Sequence, residues 1–559
     1  MDNDAISENF SLLGKLMDIH GENSFKTKSY AAAARAIEGL PKQLSEMTAA
    51  EIFAVKGFGE AIGKKILEQL STERLSLLDK YILETPPGVI EMLNIKGLGP
   101  KKIATIWHDL EIETIGELLY ACNENRLLLY KGFGEKTQNN IRDAIEYYLS
   151  NIGNYLYAQV ENYAHSLQNG LQQRFPNNHT QLTGDIVRHS EVITKLEFVT
   201  TVAPAALETY LNELAWKKQD ADAAQLIFTT DIGLSAIFHL AENETLAAIG
   251  FETSCSDAFL AAFKNIVKYS GEQHYTSEQE IFSKNGMQFI PPFLRETENI
   301  IPKAKAYTLP QVIEVSDIKG IIHSHSTWSD GSNTIEEMLK AAVGKGFEYL
   351  VLSDHSQTAV YAKGLKPERV AAQHQEIDEL NKKYAPFKIF KSIESDILND
   401  GSLDYTQEVL STFHLVIASV HSNLKMSEDK AMLRLLTAIE NPFTSILGHL
   451  TGRLLLSRAG YPVNHKKIID ACAANNVVIE LNAHPRRLDM DWRWIDYALE
   501  KNVLISIDPD AHTVKGFDDI RYGVLAAQKG GLPASRNLSS FNLNQMEDFI
   551  AKQQKKRLY

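Results

Sequence analysis

The chain has 559 residues, of which 44% are apolar and 23% are charged, and its formal net charge is −14. This length exceeds what one hydrophobic core usually serves, so we expect a soluble protein of several domains. The acidic balance excludes a protein that coats nucleic acid with its whole surface, and any contact with DNA has to be local. Cys122, Cys255 and Cys472 stand far apart, which excludes a thiolate zinc site and a disulfide framework. No apolar run approaches the roughly 20 residues of a membrane span, and we predict a cytoplasmic monomer.

A short unit recurs three times within residues 1 to about 150, where the apolar spacing predicts helices. It reads A-V-K-G-F-G-E-A-I-G-K-K-I at 54–66, L-N-I-K-G-L-G-P-K-K-I at 93–103 and L-L-Y-K-G-F-G-E-K-T-Q-N-N-I at 128–141. The glycines permit a tight turn that presents backbone N–H groups at a helix N-terminus, where phosphate binds. The unit resembles the helix-hairpin-helix motif, which grips a DNA backbone without reading its sequence. The predicted DNA contacts are Lys56, Gly57, Gly59, Lys96, Gly97, Gly99, Lys131, Gly132 and Gly134.

A blander interpretation of these glycines is that each merely ends a helix. Three copies with the same lysine flanks favour phosphate binding over that alternative. Further upstream, Lys26, Lys28, Tyr30 and Arg35 surround a helix start. A solvated helix face and a DNA contact both stay open there, and we nominate no lyase lysine.

Polar residues follow a series of apolar runs between residues 318 and 512, and together they can hold a cluster of metal ions. A ligand just after a strand lies at the carboxyl end of a parallel barrel, where barrel enzymes have their active sites. A lone His near an apolar run is more often structural, but repetition of the arrangement makes coincidence improbable. With V-V-I-E-L-N-A-H-P-R-R counted as a further strand, seven β/α units fit residues 318–535. The predicted metal ligands are His323, His325, Asp330, His355, Glu394, His421, His449, Asp510 and His512.

With the hairpin repeats ahead and this barrel behind, the chain resembles a bacterial family X DNA polymerase fused to a PHP (polymerase and histidinol phosphatase) domain. The resemblance spans essentially the full length and is strongest in H-S-H-S-T-W-S-D-G, D-I-L-N-D-G-S-L-D-Y, G-H-L-T-G-R-L-L-L-S-R-A-G-Y and N-A-H-P-R-R-L-D-M-D-W. It implies a multidomain fold with a helical helix-hairpin-helix region, an α+β nucleotidyltransferase-like palm and a distorted (β/α)7 PHP barrel. The predicted boundaries are 1–85 for an 8-kDa-like DNA-binding domain with the first hairpin motif, 86–152 for a fingers-like region with the other two, 153–298 for a degenerate palm and thumb, 299–316 for a linker, and 317–559 for the PHP domain.

The palm motif departs from the family pattern, in which a Gly-Ser turn precedes an Asp-x-Asp that binds two magnesium ions. This chain has T-G-D-I-V-R-H-S-E-V-I-T-K-L-E-F-V instead, so Asp185 stands at the serine position and Lys195 and Glu197 at the metal pair. A negative charge at Asp185 repels a nucleotide phosphate, and an ammonium cannot ligate a cation. We place Gln225 at the third carboxylate. These substitutions predict a palm-like fold without DNA synthesis.

The resemblance makes the nine barrel ligands a three-metal centre, with manganese expected and zinc or iron as alternatives, since ligand softness alone does not choose among them. Glu394, His323, His355 and Asp510 are the predicted catalytic residues, with Glu394 bridging the ions. Trp328 and Tyr461 are candidates for stacking a terminal base, with core packing as the alternative. Arg453, Arg458, Arg486 and Arg487 are predicted to bind substrate phosphates, with packing against Asp489 and Asp491 as the alternative.

The leading hypothesis is a metal-dependent phosphodiesterase of DNA repair that acts as a 3′→5′ exonuclease or an endonuclease at abasic sites. Its expected partner is single-stranded, gapped or primer–template DNA, and its polymerase activity is expected to be lost or vestigial. Three alternatives stay open: a PHP phosphatase on a small phosphomonoester such as histidinol phosphate, an active family X polymerase, and a non-catalytic DNA-binding scaffold.

Overall fold

The computed structural model describes residues 1–123, 126–150, 153–267, 269–271 and 273–558. The chain divides into two compact units, Met1–Ile152 and Gly153–Tyr559. No helix in the described ranges is long and apolar enough to cross a lipid bilayer. The finer predicted boundaries remain predictions.

The first unit is helical, and the three Lys-Gly-apolar-Gly turns each precede one of its helices. The first glycine of each turn has a positive φ of 101°, 90° or 95° at Gly57, Gly97 and Gly132, a conformation that glycine adopts without strain. The apolar residue between each pair of glycines is buried in one shared core. The helices are α1 (Asn3–Ile19), α2 (Ser24–Glu38), α3 (Ala49–Ala54), α4 (Glu60–Thr72), α5 (Ser76–Glu84), α6 (Pro87–Glu91), α7 (Pro100–His108), α8 (Ile115–Asn123) and α9 (Glu135–Ser150).

The second unit begins with a five-stranded mixed sheet in the order β2-β4-β7-β6-β5. Alternate apolar residues of β4 and β7 enter a core in which Phe198 stacks on Phe238 with ring centroids 5.0 Å apart. The elements are β1 (Tyr155–Leu156), α10 (Tyr157–Arg174), β2 (Thr180–Thr183), β3 (Val192–Ile193), β4 (Lys195–Thr200), α11 (Pro204–Glu213), β5 (Lys217–Ala221), β6 (Gln225–Thr229) and β7 (Ser235–Leu240).

Four short helices follow this sheet and pack around a fully buried arginine. Arg295 pairs with Glu278 at 2.7 Å, and its guanidinium lies 5.1 Å from the ring centre of Phe251 and 5.3 Å from that of Phe282. The ion pair and the aromatic faces together compensate the loss of hydration of this charge. The helices are α12 (Leu246–Thr253), α13 (Asp257–Ile266), α14 (Glu278–Ser283) and α15 (Ile300–Lys305). We refer to residues 153–305 as the palm-like region.

Seven parallel strands in chain order form the second sheet, which is nearly closed into a barrel. The Ala511 N–H, just beyond the last strand, donates to the His323 carbonyl at 3.2 Å, and the His325 N–H donates to the Ala511 carbonyl at 2.8 Å. The strands are buried on both faces because helices cover the outside. The elements are β8 (Gly320–Ser324), α16 (Ile335–Gly344), β9 (Tyr349–Leu352), α17 (Pro367–Lys383), β10 (Lys388–Asp396), α18 (Gln407–Leu410), β11 (Leu415–Ser419), α19 (Glu428–Glu440), β12 (Ile446–Leu447), α20 (His465–Asn475), β13 (Val478–Asn482), α21 (Ile495–Glu500), β14 (Ile505–Asp508), α22 (Ile520–Lys529) and α23 (Leu543–Lys556). This architecture confirms the predicted fold class.

Candidate metal centre at the carboxyl edge of the barrel

The nine predicted ligands converge at the carboxyl ends of the barrel strands. Three groups of these side chains place their ligand atoms within 4.8 Å of one another. Among the described residues, these are the groups that could hold a metal ion. They are His325 with Asp330, His355 and His512; His323 with His325 and Asp510; and His355 with Glu394 and His421.

Glu394 is the centre of this cluster because imidazoles surround both of its oxygens. Its Oε1 lies 3.0 Å from Nε2 of His421, 3.0 Å from Nε2 of His449 and 3.3 Å from Nε2 of His323. Its Oε2 lies 2.9 Å from Nδ1 of His355. A carboxylate that faces several ligand sets in this way is placed to bridge ions.

Two of the candidate ligands have backbones in the left-handed region, which residues other than glycine rarely adopt. The φ angle is 60° at His323 and 51° at Asp510. Both residues stand at the seam where the first and last strands close, and the seam hydrogen bonds hold them there. Such local strain is common at functional sites, where the surrounding structure over-determines the conformation.

A loop after β8 brings Asp330 back to the imidazoles. This loop folds around Asp354, which follows β9. The Asp354 carboxylate accepts hydrogen bonds from the Ser326 N–H at 2.8 Å and from the Ser329 hydroxyl at 2.5 Å. Gly331 passes so close to the chain that a Cβ atom there would lie 2.1 Å from the His325 carbonyl oxygen. The loop therefore needs both the buried carboxylate and a residue without a side chain.

The outer faces of two imidazoles are held by carboxylates that the sequence reasoning missed. Nδ1 of His323 lies 2.5 Å from Glu480, and Nδ1 of His421 lies 2.5 Å from Asp396. Outer carboxylates of this kind fix the ring orientation and leave Nε2 for a metal. Two signals were present in the sequence: Glu480 interrupts the apolar run V-V-I-E-L-N, and Asp396 follows Glu394 at the two-residue spacing that shares a strand face.

The charges of the site compensate one another in the absence of metal. Burial alone raises the pKa of Glu394, but His421, His323 and His355 outweigh it and hold that pKa well below its usual range. Burial lowers the pKa of His421, but the nearby Glu394 and Asp396 outweigh burial and raise this pKa to about 10. Protons on such imidazoles occupy the positions that cations would take.

These residues fit a set of divalent ions. Within the described structure, the buried Nε2 of His323 and Oε2 of Glu394 lie close to other ligand atoms but make no hydrogen bond of good geometry with them. Imidazole and carboxylate donors together suit manganese, zinc or iron. The edge of the site that is open to solvent is at Asp330 and His512, whose side chains are 30% and 39% exposed.

The four predicted phosphate-binding arginines differ in their surroundings. Arg487 lies 3.6 Å from Asp510, beside the cluster, and Arg486 is exposed. Arg458 donates to the Gly452 carbonyl at 2.8 Å, and burial together with the nearby Arg487 lowers its pKa. These three remain predicted phosphate contacts.

Arg453 requires a correction. Its guanidinium is 13% exposed and pairs with Glu191 of the palm-like region at 2.5 Å and with Asp491 at 3.0 Å. The packing alternative therefore describes this arginine, since its donors are already used inside the protein.

The aromatic candidates also pack rather than stack. Tyr461 is buried and donates to the Leu450 carbonyl at 2.8 Å. Trp328 donates from its indole N–H to Glu376 at 2.8 Å, and the Arg369 guanidinium lies 5.5 Å from its ring centre. In the first unit, Tyr30 is likewise buried and stacks on Phe10. The packing alternative therefore describes Tyr461, whose hydroxyl and ring are both used inside the barrel.

At the predicted polymerase site, a lysine and a histidine surround the central carboxylate of Glu197. Lys195 Nζ lies 3.0 Å from Oε1 of Glu197, and Nε2 of His239 lies 3.2 Å from the same oxygen. Asp185 accepts hydrogen bonds from Arg188 and from the Ser190 hydroxyl. The lysine therefore occupies, as an internal cation, the side of Glu197 that a metal would need.

Gln225 lies on β6, which is separated from β4 by β7. It is paired in register with His239 of β7. The side chain that reaches Glu197 from the neighbouring strand is therefore His239. The placement of Gln225 at the third position of this site remains a prediction. Sequence reasoning missed His239, because the order of strands in a sheet is not evident from their order in the chain.

The fold and this site define a histidine-rich metallohydrolase barrel joined to a palm-like region and to a helix-hairpin-helix unit. Models of a helix-hairpin-helix domain, a SAM-like helix-hairpin-helix tandem and a PHP domain match residues 1–75, 89–146 and 322–484. The chain is 32% identical over 555 residues to the DNA polymerase/3′-5′ exonuclease PolX of Bacillus subtilis (strain 168), covering 96% of each chain. It therefore belongs to the PolX family of bacterial family X DNA polymerases with a PHP domain, as the sequence predicted.

Two further relatives match a smaller part of the chain. The chain is 25% identical over 168 residues to a probable phosphatase of Caldicellulosiruptor saccharolyticus and 27% identical over 165 residues to one of Syntrophotalea carbinolica. Each match covers 29% of this chain and 64% of the relative.

Proposed function

We propose that this chain is a metal-dependent phosphodiesterase of DNA repair that acts as a 3′→5′ exonuclease through the barrel site, with polymerase activity lost or vestigial. The observation that carries the proposal is the convergence of the nine predicted ligands, Glu394 among them, at one edge of the barrel, while Lys195 pairs with Glu197 in the palm-like region. The PolX relative is named for both polymerase and exonuclease activities, and the contents of the two sites favour the second.

The barrel residues divide the work of phosphodiester hydrolysis. When bound, divalent ions supply an activated water and stabilise the leaving oxygen. His323, His355, Asp510 and Glu394 are proposed as the residues that would hold these ions, with Glu394 facing ligands of more than one group. Arg487 is proposed to orient the substrate phosphate from the accessible edge. We propose manganese first, with zinc or iron as alternatives.

The cavity beside His421 suits an uncharged part of the substrate. It has a volume of about 610 Å³ and is lined by Asp396, Asp400 and Thr358 among others. Two carboxylates disfavour phosphate there. We propose that the phosphate lies on the Arg487 side and that this cavity takes a sugar or base.

The helical unit is proposed to grip DNA through its three turns. Lys56, Lys96 and Lys131 are exposed at the turns. Replacing all three by Ala should raise KM for DNA and reduce the salt dependence of binding without changing kcat. Lys80→Ala, at another exposed position of the unit, is the matched control.

The test of the proposal is hydrolysis of a 3′-labelled single strand and of primer–template DNA by metal-stripped protein restored with manganese, zinc or iron. We expect activity that His323→Ala abolishes, and metal analysis that finds ions in the wild type. Cleavage confined to abasic sites would instead make the protein an endonuclease. Preferential turnover of histidinol phosphate would favour the phosphatase alternative, for which the two probable phosphatases speak. Magnesium-dependent nucleotide incorporation would refute the loss of synthesis.

A further inference from the structure

The turn that would hold a nucleotide in a working palm contacts the barrel in this protein. After Asp185 the chain turns through Arg188, whose carbonyl accepts a hydrogen bond from Lys529 of α22 at 2.5 Å. It then reaches Glu191, whose carbonyl accepts from the Tyr157 N–H at 3.2 Å. The Glu191 side chain projects from this braced backbone to the barrel, where Oε1 lies 2.5 Å from the Arg453 guanidinium.

The Arg453 guanidinium, which pairs with Glu191, also donates hydrogen bonds to the backbone of a second barrel loop. Its Nε donates to the Arg487 carbonyl at 2.9 Å, and its Nη2 donates to the Leu488 carbonyl as well as to Glu191. Leu488 has a φ of 43°, a conformation that costs free energy for a residue with a branched side chain. The guanidinium therefore holds a strained segment in place, and Glu191 in turn orients the guanidinium.

The 487–489 segment lies next to the candidate metal ligands. The Arg487 side chain lies 3.6 Å from Oδ2 of Asp510. The same oxygen accepts a hydrogen bond from Asn482 at 3.1 Å, and the Asn482 N–H donates to the Asp489 carbonyl at 2.6 Å. A shift of the 487–489 backbone would therefore move both the Arg487 guanidinium and the partner of a candidate ligand.

We propose that Glu191 of the palm-like region is a positioning residue for the barrel site, acting through Arg453 on the backbone that presents Arg487 to the substrate. This inference rests on the proposed function of the barrel. It gives the palm-like region a role in hydrolysis that does not require nucleotide binding. Precise placement of a substrate-binding guanidinium affects binding strongly, because a displacement of about 1 Å breaks a charged hydrogen bond.

A second ion pair between the same two regions provides the matched control. Arg521 of α22 forms a two-pronged pair with Glu161 of α10. In the described structure neither residue of this pair has a direct hydrogen bond to the 487–489 backbone. Glu161 is linked to Glu191 indirectly, because it accepts a hydrogen bond from the Tyr157 hydroxyl at 3.4 Å. Loss of Glu161 therefore weakens the attachment of the two regions but leaves the contacts of Arg453 with the 487–489 segment in place.

The experiment compares Glu191→Gln, which keeps the shape and removes the charge, with Glu161→Gln, using manganese-restored full-length protein and a labelled oligonucleotide. We expect Glu191→Gln to raise KM about tenfold, the effect of losing one charged hydrogen bond, and to leave kcat within about twofold. Glu161→Gln should change neither parameter. In the Arg487→Ala background, Glu191→Gln should add no further rise in KM, since interacting residues are not additive.

The possible outcomes distinguish a failure of the proposed function from a failure of the positioning role of Glu191. No hydrolysis by the wild type would refute the proposed function, whereas hydrolysis with an unchanged KM in Glu191→Gln would overturn only the positioning role. Equal effects of Glu191→Gln and Glu161→Gln, or a full additional rise in the Arg487→Ala background, would also overturn it. If Glu191→Gln does not fold, Arg453→Lys serves instead, because a lysine keeps the charge but cannot reach both carbonyls. An unchanged KM in that variant would contradict the inference.

Discussion

The barrel and the palm-like region each bury an acidic side chain next to basic groups, Glu394 in one and Glu197 in the other, but the two sites balance its charge in opposite ways. In the barrel, imidazoles surround Glu394 and can exchange their protons for metal ions. In the palm-like region, the permanent ammonium of Lys195 pairs with Glu197 and cannot be exchanged. A carboxylate site thus remains open to metals where its partners titrate, and is closed where its partner is a fixed cation.

The largest expected effect is at the centre of the barrel cluster. Glu394→Gln removes the charge that faces the imidazoles and should lower kcat/KM for DNA hydrolysis by at least about 10³-fold. The matched change in the palm-like region, Glu197→Gln, should leave hydrolysis within about twofold. Steady-state assays of both variants measure this contrast, and similar losses in the two would break it.

The outer carboxylates should have the next largest effect. Glu480→Gln leaves the ligands in place but removes the negative charge of the group that orients His323, so we expect metal affinity to fall about 10–100-fold. Competition with a chelator measures the affinity. Asp470→Asn, a change at an exposed ion pair with Lys501, is the control, and equal affinities in the two variants would contradict the role of Glu480.

The pH dependence follows from the protons that metals must displace. Burial lowers the pKa of His512, but Asp330 and Asp510 raise it to about 9, and the pKa of His421 is raised to about 10. Below both values two protons have to leave, so metal affinity should weaken by up to about 100-fold for each unit that the pH falls. Calorimetry in buffers of different ionisation enthalpy counts these protons, and a count of zero would exclude the exchange.

The same two shifts predict an opposite trend for the stability of the metal-free protein. Both pKa values are raised in the folded state above the ordinary value of 6.5. Their stabilisation is therefore fully present below pH 6.5 and is lost as the pH rises through about 9 and about 10. Denaturation curves of stripped protein across this range test the sign, and a stability that increases toward pH 10 would contradict it.

The smallest expected effect is in the palm-like region. Lys195→Met removes an ammonium whose side chain is 40% exposed, so solvent already screens the pair and the loss of stability should not exceed about 1 kcal/mol. DNA synthesis should remain absent, also in Lys195→Asp, because Asp185 still repels a nucleotide phosphate. Primer extension with magnesium tests this, and incorporation by either variant would show that the lysine alone blocks the site.

The sequence by itself determined the features that are encoded within short segments. The hairpin turns need glycine at Gly57, Gly97 and Gly132 because of their positive φ angles, and this requirement is local. The nine ligands were predictable because each follows its own strand, and parallel strands of a barrel end at one edge. Lys195 could likewise be recognised from the sequence, because it stands in a short motif where the family has a metal-binding aspartate.

Only the tertiary structure decided which charges meet. Glu480 reaches His323 across 157 residues of chain, and Glu191 reaches Arg453 across 262. Tyr461 and Arg453 are both candidates for a substrate contact in the sequence, yet one is buried in the barrel core and the other joins two regions. Local patterns fix where a strand or turn forms, whereas the pairing of side chains depends on packing between distant elements, which the spacing of residues along the chain does not encode.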